Sequence, residues 1–161
     1  MDFMTGACIC RKLFVFFVTK IKCMKKFFLL LGSIVFFQQN IFSQHADYRV
    51  VFDISSKDSV SQQAVVRQVN IIKSGNPDAK LEVVVYGQGL SLVLKDKSSQ
   101  AEAIQKLLLN KDVSFKVCAI TMQRTNTDKS QLLPGIEIVP DGIYEIITKQ
   151  KEGWGYIKVA H

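Results

Sequence analysis

The chain has 161 residues, 48% hydrophobic and 22% charged, with 4 Cys, 3 Pro and 9 Gly. That length suits one ordinary domain with an extension, and the composition excludes collagen-like, low-complexity and disulfide-scaffold classes. The formal net charge is +7, but Arg11, Lys12, Lys20, Lys22, Lys25 and Lys26 face Asp2 alone within residues 1–43. The remainder is close to neutral, so the basicity belongs to the leader and does not mark a nucleic-acid-binding domain.

From Met24 the chain reads Met-Lys-Lys, then an apolar stretch from Phe27 to Phe37, a polar gap and Ser43. This is the order of a secretory signal peptide, and the apolar run is well short of the ~20 residues that span a bilayer. Cleavage near Ser43 is expected, giving a mature domain over residues 44–161 that is periplasmic or otherwise exported. Membrane contact is then confined to the signal peptide during export. Residues 1–23 add a second basic and apolar stretch, and Met24 is the expected true start. Removing the leader takes Cys8, Cys10 and Cys23 with it, leaving Cys118 as the single thiol of the mature domain. An intramolecular disulfide is then impossible, and the thiol is either a reactive group or a small buried hydrophobe.

Along the mature chain, Tyr48 to Ile54 is β-branched and aromatic and predicts a buried strand. Asp58 or Ser59 opens a helix carrying Ala64, Val65, Val69 and Ile72, which Gly75-Asn76-Pro77 stops. Leu81 to Tyr86 predicts a second strand, running into Gly87-Gln-Gly89, with a short helix over Leu90–Leu94. Ser98 or Ser99 is expected to open the next helix, with Ala103, Ile104, Leu107 and Leu108 on its inner face. Val113 to Cys118 predicts a third strand, a helical turn follows over Thr121–Thr125, and a polar loop runs through Asn126, Asp128 and Ser130. Ile136 to Val139 predicts a fourth strand, Pro140-Asp141-Gly142 a turn into a helix from Ile143 to about Lys151, and Gly155 to Val159 a fifth strand. Strands alternating with helices imply right-handed crossovers. The fold class is α/β, a three-layer α/β/α single domain with a mainly parallel five-stranded sheet.

In open parallel sheets, ligands bind beyond the carboxyl ends of the strands, where loops and helix N-termini converge. That rule collects Asp53, Ser55 and Ser56 after the first strand, Tyr86, Gly87 and Gly89 after the second, and Cys118 with Thr121 after the third. Cys118 is the one strong nucleophile among them. A helical turn starting near Ala119 would favour its thiolate and lower its pKa, against the alternative of a buried cysteine finishing an apolar strand. Arg124 and Lys129 follow as candidates for holding an anionic sulfur species, or as solvated surface charges. Gly87-Gln-Gly89 lacks the third glycine of a dinucleotide fingerprint. His45 and His161 lie at the mature termini, so no histidine within the domain offers a base for a Cys-His hydrolase. No Cys/His/Asp spacing suggests a metal, no cofactor is expected, and basic-aromatic interleaving for RNA is absent. Trp154 and Tyr156 read as core or interface anchors.

Three blocks carry a resemblance: Val83-Val-Val-Tyr-Gly-Gln-Gly-Leu90, Phe115-x-x-Cys118-x-x-Thr121-Met, and Leu132-Leu-Pro-Gly-Ile-Glu-Ile-Val-Pro140 followed by Gly142 and Lys149-Gln-x-Glu-Gly-Trp-Gly-Tyr-Ile-Lys158. Together they resemble DsrE/DsrF-like proteins from Tyr48 to Lys158. The resemblance implies an α/β/α fold assembled into homo- or hetero-oligomers. Its better-known members, the DsrEFH and TusBCD proteins, hand sulfur along as a cysteine persulfide, and Cys118 matches the position of the sulfur-carrying cysteine. The chain has Ile120 where relatives with this C-terminal block often carry Asn. The implied function is an exported sulfur carrier that takes sulfane sulfur on Cys118 from a donor protein or small donor and yields it to an acceptor. A non-catalytic ligand-binding or oligomeric assembly module of the same fold is the alternative, and cysteine-based redox sensing a third.

Overall fold

Residues 48–159 of the chain are described by a computed structural model. The leader, Met24, the cleavage position at Ser43, three of the cysteines, and His45 and His161 lie outside them. Strand β1 (Arg49–Ile54) leads to helix α1 (Ser59–Gly75) and β2 (Lys80–Val85), then a 3-10 segment (Gly87–Val93) and α2 (Ala101–Leu108). Strand β3 (Val113–Cys118) runs directly into α3 (Ala119–Arg124), a 3-10 turn (Lys129–Gln131) and β4 (Glu137–Val139). Helix α4 (Gly142–Lys151) and β5 (Gly155–Lys158) complete the order. All pairings between these strands are parallel and the sheet runs β4-β3-β2-β1-β5.

The near-continuous apolar runs of β1 and β2 follow from burial on both faces, which parallel strands with helical crossovers require. Alternation along each strand then divides the side chains between two layers. Val50, Phe52 and Ile54, with Leu81, Val83, Val85, Val113, Phe115 and Val117, meet α1 through Val65, Val66 and Val69. Ile104 and Leu107 of α2 and Met122 of α3 join the same cluster. The opposite face is covered by α4 and is far less apolar: Val51 and Val84 pack on Ile146, with Tyr86 and Trp154 at the margin. Asp53, Glu82, Lys116 and Cys118 share that second face by the same alternation.

Local signals set the helix ends. Asp58 caps α1, its Oδ2 accepting from the Ser61 N–H at 2.8 Å, and the Asn76 N–H closes the other end on the Ile72 carbonyl at 2.7 Å. Asp141 caps α4, with Oδ1 accepting from the Ile143 N–H at 2.8 Å and the Tyr144 N–H at 3.4 Å.

Three elements start more than one residue away from the sequence reading. Helix α2 starts at Ala101, because Ser98 is used in a turn: its Oγ accepts from the Gln100 N–H at 3.2 Å and its own N–H reaches the Leu94 carbonyl at 3.0 Å. Serine hydroxyls compete with helix in this way. The short helix expected over Leu90–Leu94 is a 3-10 segment that begins at Gly87, tightened by the Gly89 N–H on the Tyr86 carbonyl at 3.1 Å. The turn expected from Thr121 begins two residues earlier, at Ala119.

Candidate functional site

The helices that follow β3 and β4 leave towards opposite faces of the sheet: Met122 of α3 joins the large cluster and Ile146 of α4 the small one. Such a divergence opens the carboxyl edge between neighbouring strands, which is where ligands enter this architecture. Cys118 ends β3 at that point, and 5% of it is exposed.

Polar donors from two helix starts bear on its sulfur. Burial alone would push the thiol up. The Gly142 N–H, the Thr121 N–H and hydroxyl, and the Ile120 N–H outweigh that and leave Cys118 below the ordinary thiol range. The donors arise from local chemistry. Cys118 is the N-cap of α3, with no capping hydrogen bond to its side chain, so the first N–H groups of that helix have no intrahelical acceptor and face the end where the thiol lies. At the start of α4 the Asp141 carboxylate takes the Ile143 and Tyr144 N–H groups, leaving the Gly142 N–H for the sulfur. Both helix dipoles favour negative charge at that position.

Position 142 is tightly packed, so any side chain there would force its neighbours to give by a few tenths of an ångström. A Cβ there would lie 3.2 Å from the Cys118 Cβ, 3.2 Å from Val84 Cγ1 and 3.6 Å from the Tyr86 Cβ. The Thr121 hydroxyl has two roles, because besides facing the sulfur it accepts the Gly87 N–H at 3.0 Å. That contact fixes the loop after β2, where Gly87 has φ +57°, a conformation that costs an L side chain energy. Gly89 lies so close to β1 that a Cβ would sit 2.6 Å from the Ile54 carbonyl oxygen. The Tyr86 N–H also reaches that oxygen, at 3.2 Å.

The sequence-predicted residues therefore divide into two groups. Cys118, Thr121, Gly87 and Tyr86 come together around the thiol, with Gly89 seating their loop on β1. Asp53 and Ser55 form a neighbouring polar cluster. Asp53 is 4% exposed, its Oδ2 accepts the Tyr156 hydroxyl at 2.7 Å, and its Oδ1 is buried without a hydrogen-bond partner. Tyr156 is pushed up to about 12, chiefly by that bond to Asp53. Burial and the same carboxylate raise Tyr86, against a smaller opposing contribution from Ser55. Arg124 is exposed at the far end of α3, away from the thiol, and Lys129 is exposed on the following 3-10 turn. Among the described residues no three of His, Cys, Asp and Glu gather as a metal-binding set.

Sequence reasoning missed Gly142 as a site residue. The available signal was Asp141-Gly142 at a helix start, a capping aspartate that leaves the first N–H uncommitted.

Solved structures share this architecture. A protein of unknown function from Methanobacterium thermoautotrophicum, MTH1491, is 30% identical with a TM-score of 0.66, over 70% of this chain and 99% of that one. The ychN protein of E. coli, 13% identical, has a TM-score of 0.59 over 70% and 99% of the two chains. A conserved protein of unknown function from Bacteroides thetaiotaomicron, BT1422, is 16% identical with a TM-score of 0.56 over 74% and 100%. The last two likenesses show the fold alone. No curated protein matches the chain. The model of the DsrE/DsrF-like family matches residues 49–159, from the first residue of β1 to the residue after β5, and the chain belongs to that family.

Proposed function

We propose that Cys118 carries sulfane sulfur as a persulfide, in an exported protein. The observation that carries this reading is the convergence of the Gly142, Thr121 and Ile120 donors on the sulfur, which favours the thiolate. The thiolate is the nucleophile in sulfur exchange. It attacks the terminal sulfur of a hydropolysulfide or a donor persulfide. The donor's S–S bond breaks, its electron pair leaves on the donor thiolate or on the polysulfide now one sulfur shorter, and Cys118 gains a persulfide whose acidic proton is lost to solvent as S–S⁻. An acceptor thiolate then takes the terminal sulfur and returns Cys118 to its thiolate, so no external oxidant or reductant is consumed. A terminal sulfane sulfur is one slim atom at the end of a chain, which suits a thiol with so little exposed surface. Family membership supports the same reading, since the family's better-known members relay sulfur. The n-region, apolar run and Ser43 of the leader support export.

The test is mass spectrometry of the purified protein after incubation with polysulfide, beside Cys118→Ser. A reductant-labile gain of whole sulfur atoms on Cys118, absent from the variant, is expected. An unmodified Cys118 under conditions that label a control thiol would overturn the reading. A second reading, an assembly module, is favoured by Ile143, Tyr144 and Ile147, which α4 exposes side by side. Under that reading Cys118→Ser behaves as wild type and the exposed stripe pairs copies of the chain.

A further inference from the structure

Beneath α4, near the thiol, the sheet carries charges where apolar side chains would hold a helix equally well. Glu82 of β2 is 2% exposed. Lys116 of β3 places its Nζ 2.9 Å from Glu82 Oε2 and 2.8 Å from Glu145 Oε1 of α4. Lys149, further along the same helix, lies 3.9 Å from Glu145. Burial pushes the Glu82 carboxyl up in spite of its lysine partner. A buried ion set of this kind is a poor source of net stability, because desolvating the charges cancels much of their attraction. What it does supply is a fixed geometry.

The connections run straight to the thiol. Lys116 and Cys118 are two apart on β3 and project from the same face. Glu145 stands one turn from Gly142, and its own N–H makes a first hydrogen bond of α4, to the Asp141 carbonyl at 3.0 Å. One ammonium group therefore ties the strand that carries the sulfur to the helical turn that carries the Gly142 N–H, while Glu82 holds that ammonium from β2.

We infer that Lys116 is a positioning residue for Cys118: through Glu145 it clamps the first turn of α4 onto β3 and keeps the Gly142 N–H on the sulfur. The inference deepens the persulfide reading and rests on it for its functional meaning. Lys116 touches neither sulfur nor donor and acts only through the helix.

The readout is the pH profile of iodoacetamide alkylation at Cys118, resolved by peptide mass. Lys116→Met alone would leave the buried Glu82 carboxylate uncompensated and endanger folding, so the first variant is the double change Glu82→Gln with Lys116→Met, which is neutral in net charge. The second is Glu145→Gln, which cuts the same tie from the helix side. Loss of a carboxylate near a thiol would, through charge alone, make the thiolate easier to form. The clamp demands the reverse. Both variants are expected to shift the profile upward by about one pH unit, an approximately tenfold lower rate at neutral pH, with the high-pH plateau unchanged. A profile that stays in place or moves downward in Glu145→Gln overturns the inference, as does a change confined to the plateau. Alkylation involves no sulfur donor. A failure of polysulfide to label wild-type Cys118 would therefore defeat the function while leaving the clamp standing, and unchanged profiles would do the opposite.

Discussion

At the scale of single residues, the thiol's chemistry depends on donors that have other duties. Thr121 faces the sulfur and also accepts the Gly87 N–H at 3.0 Å, so Thr121→Val removes both contacts. The thiol then returns towards its ordinary value, and alkylation at neutral pH slows by up to about tenfold. Stability falls by about 1 kcal/mol as the Gly87 N–H loses its acceptor. Paired alkylation profiles and urea denaturation check this, and an unshifted profile would remove Thr121 from the site. Tyr156 offers a separate test by pH. Its hydroxyl titrates near 12 in the fold, against 10.0 in an unperturbed tyrosine. The folded state thus holds that proton more tightly than the unfolded one. The associated stability is fully present below pH 10 and drains away as pH rises from about 10 to about 12. Denaturation measured across that window should show the wild type losing stability more steeply than Tyr156→Phe. Parallel slopes would break the link to Asp53.

At the scale of elements, most of the fold was legible because β1 and β2 are largely apolar runs and the longer helices carry stop and start residues. Asp58 illustrates how direct that reading is. It was expected to open α1, and its carboxylate accepts both the Ser61 N–H and hydroxyl, at 2.8 and 2.9 Å. Asp58→Ala is expected to lower stability by about 1 kcal/mol, measured as a lower urea midpoint with an unchanged slope. Other boundaries were misread wherever short-range hydrogen bonding outweighed periodicity, as at Ser98 and in the 3-10 segment after Gly87. The site was legible in part, for a similar reason. Cys118 and Thr121 lie three apart and announce themselves at a strand end. Gly142 follows 24 residues later and reaches the sulfur only through the packing of α4. Asp53 was expected as a strand-end ligand group, and one of its oxygens accepts the hydroxyl of Tyr156, which lies 103 residues away in sequence. No local pattern encodes that pairing.

At the scale of the whole domain, strands β1 to β4 lie across the sheet in the order of the chain, and β5 returns to the far side of β1. Val50 to Asp53 pair with Gly155 to Lys158, so the row of β1 backbone groups facing that side finds its partners only in the last strand. A chain ending at Trp154 would expose β1 as an unprotected edge, the kind of surface that recruits strands from other molecules. It would also lack the Tyr156 hydroxyl that Asp53 accepts. Such a truncation is expected to lower the urea midpoint and to aggregate, and a soluble truncation with an unchanged midpoint would show β5 to be dispensable. During folding the same arrangement sets a timetable. Four strands and their helices can dock as the chain emerges, but the incomplete domain keeps an adhesive flank until β5 arrives. Wherever neighbouring copies display that flank together, misassembly of this protein would begin.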